Sequence, residues 1–168
     1  MHVGVRSNAL ASTSRSEATV AISLNHTIVL TKDKWAAAKF LADMVESEAT
    51  AFGPFVRVHT GETDIEFQNI EDNVANDHIP TTHLAFLMSE GELDIVLEKL
   101  KRHGVQPYQD MFYDEPGVNN LYGGRGCYIH DPVDGHQWEF ITAPYSGKPA
   151  HREKGGWKDF VDPTAVDA

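Results

Sequence analysis

The feature that most constrains this chain is a segment that occurs twice. His26-Thr27-Ile28-Val29-Leu30-Thr31-Lys32-Asp33 is echoed 57 residues later by His83-Leu84-Ala85-Phe86-Leu87-Met88-Ser89-Glu90. Each copy reads as a histidine, a run of strand-forming apolar residues, a polar stop and the start of a helix. A further 56 residues on, Glu139 sits inside another apolar run, Trp138-Glu139-Phe140-Ile141. Two histidines and one carboxylate on separate strands are the ligand set of an open divalent-metal site.

The order of elements repeats with the histidines. Ala21 to Leu30 reads as a strand, and Asp33 is placed to cap a helix with apolar positions at Ala37, Phe40, Leu41, Met44 and Val45. Gly53-Pro54 breaks the pattern, and two strands, 55–59 and 64–68, follow around a turn at Gly61. The polar stretch 70–80 reads as a linker. In the second unit, 82–88 is a strand and Ser89 with Glu92 forms a capping box. The next helix buries Leu93, Val96, Leu97 and Leu100, and Gly104 stands where a helix ends. Short strands near 106–108 and 125–130 precede a turn over 131–135 and a last strand, 137–142. Each unit is β-α-β-β-β in outline, so the class is α+β. The expected organisation is an N-terminal arm over 1–19, one domain over 20–143 with modules 20–69 and 81–143, and a tail over 144–168.

Composition narrows the partners. A net charge of −11 does not hold polyanions by bulk attraction, so nucleic acid is not expected. No apolar run approaches the roughly 18 residues a membrane helix needs, so no membrane partner is expected. The first 19 residues lack the apolar core of a secretory signal, which makes the cytoplasm the default location. Cys127 is the only cysteine, which excludes an internal disulfide and a thiolate zinc cluster. It reads as a small core residue.

Alternation along the strands decides which way the key residues point. Gln137, Glu139 and Ile141 face one way, Trp138 and Phe140 the other. His83 shares a face with Ala85 and Leu87, while Leu84, Phe86 and Met88 oppose it. The large apolar residues suit a helix-covered side, so His83 and Glu139 should project from the opposite side. His26 shares its face with Leu24, Ile28 and Leu30. A carboxylate between Trp138 and Phe140 is costly to bury without a cation or several donors, and a shared metal accounts for all three residues together.

The stretch from Gly123 to Phe140, with Asp131-Pro132-Val133-Asp134-Gly135-His136 followed by Glu139, resembles the closing strand pair of the vicinal oxygen chelate superfamily. That group includes glyoxalase I, extradiol dioxygenases, fosfomycin-resistance transferases and bleomycin-resistance proteins. His83-Leu84-Ala85-Phe86-Leu87 and Asn25-His26-Thr27-Ile28-Val29 are similar to the family's two ligand-bearing opening strands. The resemblance implies two βαβββ modules forming an incomplete barrel around a metal, with His26, His83 and Glu139 as ligands. Val133 is one residue more than the family's usual turn holds; the expectation is a longer turn with the following strand in register. Glyoxalase I adds a carboxylate from the last strand of its first module, which puts Glu66 forward here as a fourth ligand or a general base.

The function implied is that of a divalent-metal enzyme of the glyoxalase or dioxygenase type. Its small substrate would chelate the metal through neighbouring oxygens. Fe2+ or Mn2+ is favoured, and Zn2+, Ni2+ or Co2+ would suit lyase or isomerase chemistry. Tyr122 is a second candidate for the base. Arg125 is a candidate for holding an anionic substrate, and Tyr108, Tyr113 and Asn120 lie in a loop-rich stretch placed to cover the cup. His136 is expected to bond backbone rather than metal. Gly123-Gly124-Arg125-Gly126 lacks the lysine and the helix of a phosphate loop. Relatives build the cup from paired modules within one chain or across a dimer; here both modules lie in one chain, with a homodimer as a further option. The competing reading is a metal-free drug-binding protein of the bleomycin-resistance type.

Overall fold

The computed structural model describes residues 23–145. The arm expected over 1–19 and nearly all of the expected tail lie outside the described residues. The fold is α+β, in two modules. The first runs β1 (His26–Thr31), α1 (Lys34–Met44), β2 (Ala49–Phe52), β3 (Phe55–Thr60) and β4 (Thr63–Asn69). The second runs β5 (His83–Leu87), α2 (Glu90–His103), β6 (Gly126–His130) and β7 (Gln137–Ile141). The first sheet has strand order β1-β4-β3-β2 and the second β5-β7-β6; neither closes into a barrel. In both, the opening strand runs parallel to the closing strand, β1 beside β4 and β5 beside β7.

Local chemistry starts and stops these elements where the sequence places the signals. The Asp33 carboxylate accepts hydrogen bonds from the N–H groups of Trp35 and Ala36, both at 3.0 Å, satisfying orphan donors of α1. At α2 the Ser89 hydroxyl accepts from Glu92 N–H while the Glu92 carboxylate accepts from Ser89 N–H. Gly104 ends α2 at φ +68°, a conformation that only glycine adopts without cost. Strand alternation then builds the core. Val29, Val56, Val58, Ile65, Phe67, Trp138 and Phe140 are buried against the helices, and Phe86 stacks on Phe140 with ring centroids 5.7 Å apart.

Two strands differ from the sequence reading. β2 forms over Ala49–Phe52, a stretch without a strong strand signal, because Gly53 at φ +56° turns the chain back onto β3. The strand expected near 106–108 shrinks to an isolated bridge between Tyr108 and Tyr128. Pro107 and Pro116 carry no N–H and cannot extend the ladder.

The modules are tied together by buried polar groups. Thr82 N–H donates to His136 Nδ1 at 3.1 Å, which leaves the proton on Nε2 to donate to the Leu30 carbonyl at 2.8 Å. His136 is thus a neutral bridge from β1 to the second module, 1% exposed. Asp134 accepts from Thr31 and from Lys32 N–H on the same strand end. Lys99, buried on α2, donates to the Asp43 carbonyl in the last turn of α1, where a cation complements the helix dipole. Asp131 holds its turn by accepting from the N–H groups of Val133, Asp134 and His136. The turn absorbs Val133, and Glu139 still pairs with Tyr128 across β6 and β7.

Candidate functional site

The register between β5 and β7 sets His83 opposite Gln137 and Ala85 opposite Glu139. Alternation then puts His83, Ala85, Leu87 and Glu139 on the face away from α2. His83 Nε2 lies 3.2 Å from Glu139 Oε2. Glu139 is only 2% exposed although it lies on the open face, because aromatic side chains cover it. The Tyr145 hydroxyl donates to Glu139 Oε1 and lies 2.8 Å from the Tyr128 hydroxyl. Burial, and then the hydrogen bond to Glu139, push the Tyr128 phenol well above its ordinary pKa, so it stays protonated. Tyr113 is pushed up to about 12, by burial first and then by the Glu139 charge.

Tyr113 is held there at a backbone cost. Its φ is +58°, a left-handed conformation uncommon for an aromatic residue and concentrated at functional sites. Its ring stacks on His130 at 3.8 Å between centroids and meets Tyr108 edge-on at 5.4 Å. His83 and Tyr128 have ring centroids 6.2 Å apart. The result is a wall of neutral phenols around one carboxylate and one imidazole. Among the described residues, no Lys or Arg pairs with Glu139.

His26 stands on the other sheet. It is exposed, with Nδ1 2.9 Å from Asn25 Oδ1. Among the described residues of one chain, no three His, Cys, Asp or Glu side chains gather as a metal site. One chain therefore brings His83 and Glu139 together and leaves His26 apart. The chemistry of the pair fits a divalent cation: an imidazole nitrogen and a desolvated carboxylate oxygen face each other, and neutral donors orient the carboxylate.

The remaining candidates divide. Glu66, on β4, is buried and engaged by Arg57, whose Nη2 is 2.6 Å from Oε1. Arg125 turns to α2 and pairs with Asp94 at 2.9 Å and Glu90 at 3.2 Å, not with the His83–Glu139 pair. Asn120 is exposed, whereas its neighbour Asn119 is buried and holds the loop by donating to the Gln109 carbonyl. Tyr122 lies in the short turn Leu121–Gly123. The glycine cluster is a packing device. A Cβ on Gly124 would stand 2.7 Å from Ala143 and Thr142 atoms, and one on Gly126 would crowd the Phe140 carbonyl.

Three residues of the two open faces are absent from the sequence-derived candidates: Tyr128, Tyr145 and Arg57. Tyr128 was discoverable from alternation across the β6–β7 hairpin. Tyr145 reads as the start of a tail, and no local signal returns it to Glu139.

No family model and no curated protein sequence matches the chain, but solved structures do. It is similar to the oxidase ChaP-H1, with 35% identity over 76% of this chain and 100% of that one, at a TM-score of 0.68. The oxidase ChaP-H2 gives 35% identity over 74% and 95%, at 0.67. The fosfomycin resistance protein FosX from Mesorhizobium loti shares the fold at 17% identity, covering 75% and 94%, with a TM-score of 0.52.

Proposed function

The chain belongs to the vicinal oxygen chelate superfamily, and on that premise we propose that it is a divalent-metal enzyme of the oxidase type. Its substrate is a small molecule that presents two neighbouring oxygens. The observation that carries this reading is Glu139: a buried carboxylate facing His83 at 3.2 Å, on an open sheet face, with no Lys or Arg beside it among the described residues. Such a group is expensive to keep unless a cation joins it. The name shared by the two relatives at 35% identity, oxidase, favours oxidation over lyase or isomerase chemistry.

The third ligand in this reading is His26 of a second copy of the chain. Leu24 and Ile28, which flank His26, are 62% and 44% exposed, and Leu87, on the face of His83, is 60% exposed. Apolar side chains beside two histidines on two open faces support a homodimer that lays the first module of one copy against the second module of the other. A divalent cation held by His83, Glu139 and that His26 would supply Lewis-acid stabilisation of charge on the chelating oxygens, with Fe2+ or Mn2+ suited to oxidation and Zn2+, Ni2+ or Co2+ to lyase or isomerase chemistry.

The chain's own residues do the rest. Tyr145 fixes Glu139 Oε1 by donating its hydroxyl proton, which leaves Oε2 facing His83 Nε2. Tyr128 keeps its proton, which its hydrogen bonds to Glu139 and Tyr145 engage, so it helps to orient the carboxylate. The rings of Tyr113 and Tyr108 wall the site on one side and exclude water, which strengthens each of these interactions.

The test is metal analysis of protein purified without oxygen, followed by oxygen uptake by the Fe2+ form with catechols and other vicinal diols. Near-stoichiometric metal that is lost in His83→Ala is expected. Mixing inactive His26→Ala with inactive His83→Ala should restore about one quarter of the sites, because each mixed dimer holds one intact centre. Metal-free protein that binds small molecules equally well in both variants would instead establish a binding protein.

A further inference from the structure

The two modules carry equivalent His–carboxylate pairs, and the structure treats them differently. On β4, Glu66 pairs with Ile28, two residues after His26; on β7, Glu139 pairs with Ala85, two residues after His83. The residue across from each carboxylate on the other side is Arg57 on β3 and Tyr128 on β6. One step along, Asp64 opposite His26 corresponds to Gln137 opposite His83, and His59 to His130. Position for position, the first module sets a guanidinium and a second carboxylate where the second module sets a phenol and an amide.

Arg57 is fixed from three sides. Nη2 and Nε reach Glu66 Oε1 at 2.6 and 3.2 Å, and Nε also reaches Asp64 Oδ2 at 3.2 Å. The guanidinium lies 3.3 Å from the centroid of the Phe52 ring. Glu66 is 3% exposed. A carboxylate this buried cannot leave its guanidinium without stranding its own charge, whereas Arg57 keeps Asp64 as a partner.

We propose that Arg57 is a built-in cation that keeps Glu66 out of the metal's coordination shell, so that the centre has three protein ligands rather than four. This rests on the metal reading above. It makes Arg57 a positioning residue acting through Glu66, and it leaves more coordination positions open to a chelating substrate.

The experiment is the visible spectrum and affinity of the Co2+-substituted full-length protein. Glu66→Gln is expected to leave the spectrum superimposable on that of the unaltered protein. Arg57→Met frees Glu66 and is expected to shift the spectrum and change the Co2+ affinity by about 10–100-fold, the range exerted by groups that orient ligands. The double variant, Arg57→Met with Glu66→Gln, should return both to their starting values. A changed spectrum in Glu66→Gln alone, or an unchanged one in folded Arg57→Met, overturns the proposal. If Arg57→Met does not fold, Glu66→Gln decides by itself. Unaltered protein that takes up no Co2+, or His83→Ala that retains the full spectrum, overturns the metal reading and this inference together; sensitivity to Glu66→Gln overturns the inference alone.

Discussion

Replacing Glu139 by Gln separates the cost of burying a charge from the gain of binding a cation. The two side chains have the same shape. Gln Oε1 still accepts from Tyr145, and its amide still reaches His83 Nε2, 3.2 Å away in the native pair. What disappears is a carboxylate charge that is 2% exposed and has no Lys or Arg partner among the described residues. Desolvating one ion costs several kcal/mol, partly offset here by the phenol hydrogen bonds, so the metal-free variant should be more stable by about 1–3 kcal/mol. At a metal concentration of about 100 times Kd, the native protein gains about 2.7 kcal/mol and the variant gains nothing. The substitution therefore stabilises the protein in EDTA and removes the rise produced by metal. For a chain of this length each kcal/mol moves Tm by roughly 2–4 °C. Thermal unfolding of both proteins, in EDTA and with Mn2+, reads all four values. A variant that is less stable in EDTA and rises as much with metal as the native protein refutes the reasoning.

Other perturbations probe the frame. His136→Phe keeps the ring's bulk but leaves Thr82 N–H and the Leu30 carbonyl without their partner; urea unfolding should show a loss of about 2–5 kcal/mol, with metal content per folded chain unchanged. Gly124→Ala forces a Cβ to 2.7 Å from Ala143 and should cost about 1–3 kcal/mol, whereas Gly91→Ala, in open space near the start of α2, should stabilise by roughly 0.5–1 kcal/mol; equal urea midpoints would refute the packing argument. Cys127 is fully buried and its thiol is pushed from 9.0 up to about 12 by burial. It should resist a thiol reagent at pH 8 until urea unfolds the chain. The contribution of this buried neutral thiol is complete below pH 9.0 and falls as pH rises towards about 12, since only the unfolded thiol ionises in that window; native-state labelling would contradict the assignment.

What the sequence determined by itself was everything with a short period or a local signal. The repeated histidine strands, the Asp33 and Ser89 caps, Gly104 and the alternation that sends His83 and Glu139 to one face are all settled by contacts within a few residues, or by a strand's two-residue period. Tertiary structure decided which of those groups meet. His26 has the same local pattern as His83, yet it lies on a separate sheet, exposed, and Glu66 repeats Glu139 but meets Arg57 instead of a phenol. Tyr145 closes on Glu139 from beyond the last strand. Such partners are chosen by register and packing between distant segments, where one residue's side-chain chemistry on the neighbouring strand, guanidinium or phenol, decides whether a buried carboxylate is already neutralised or still open to a cation.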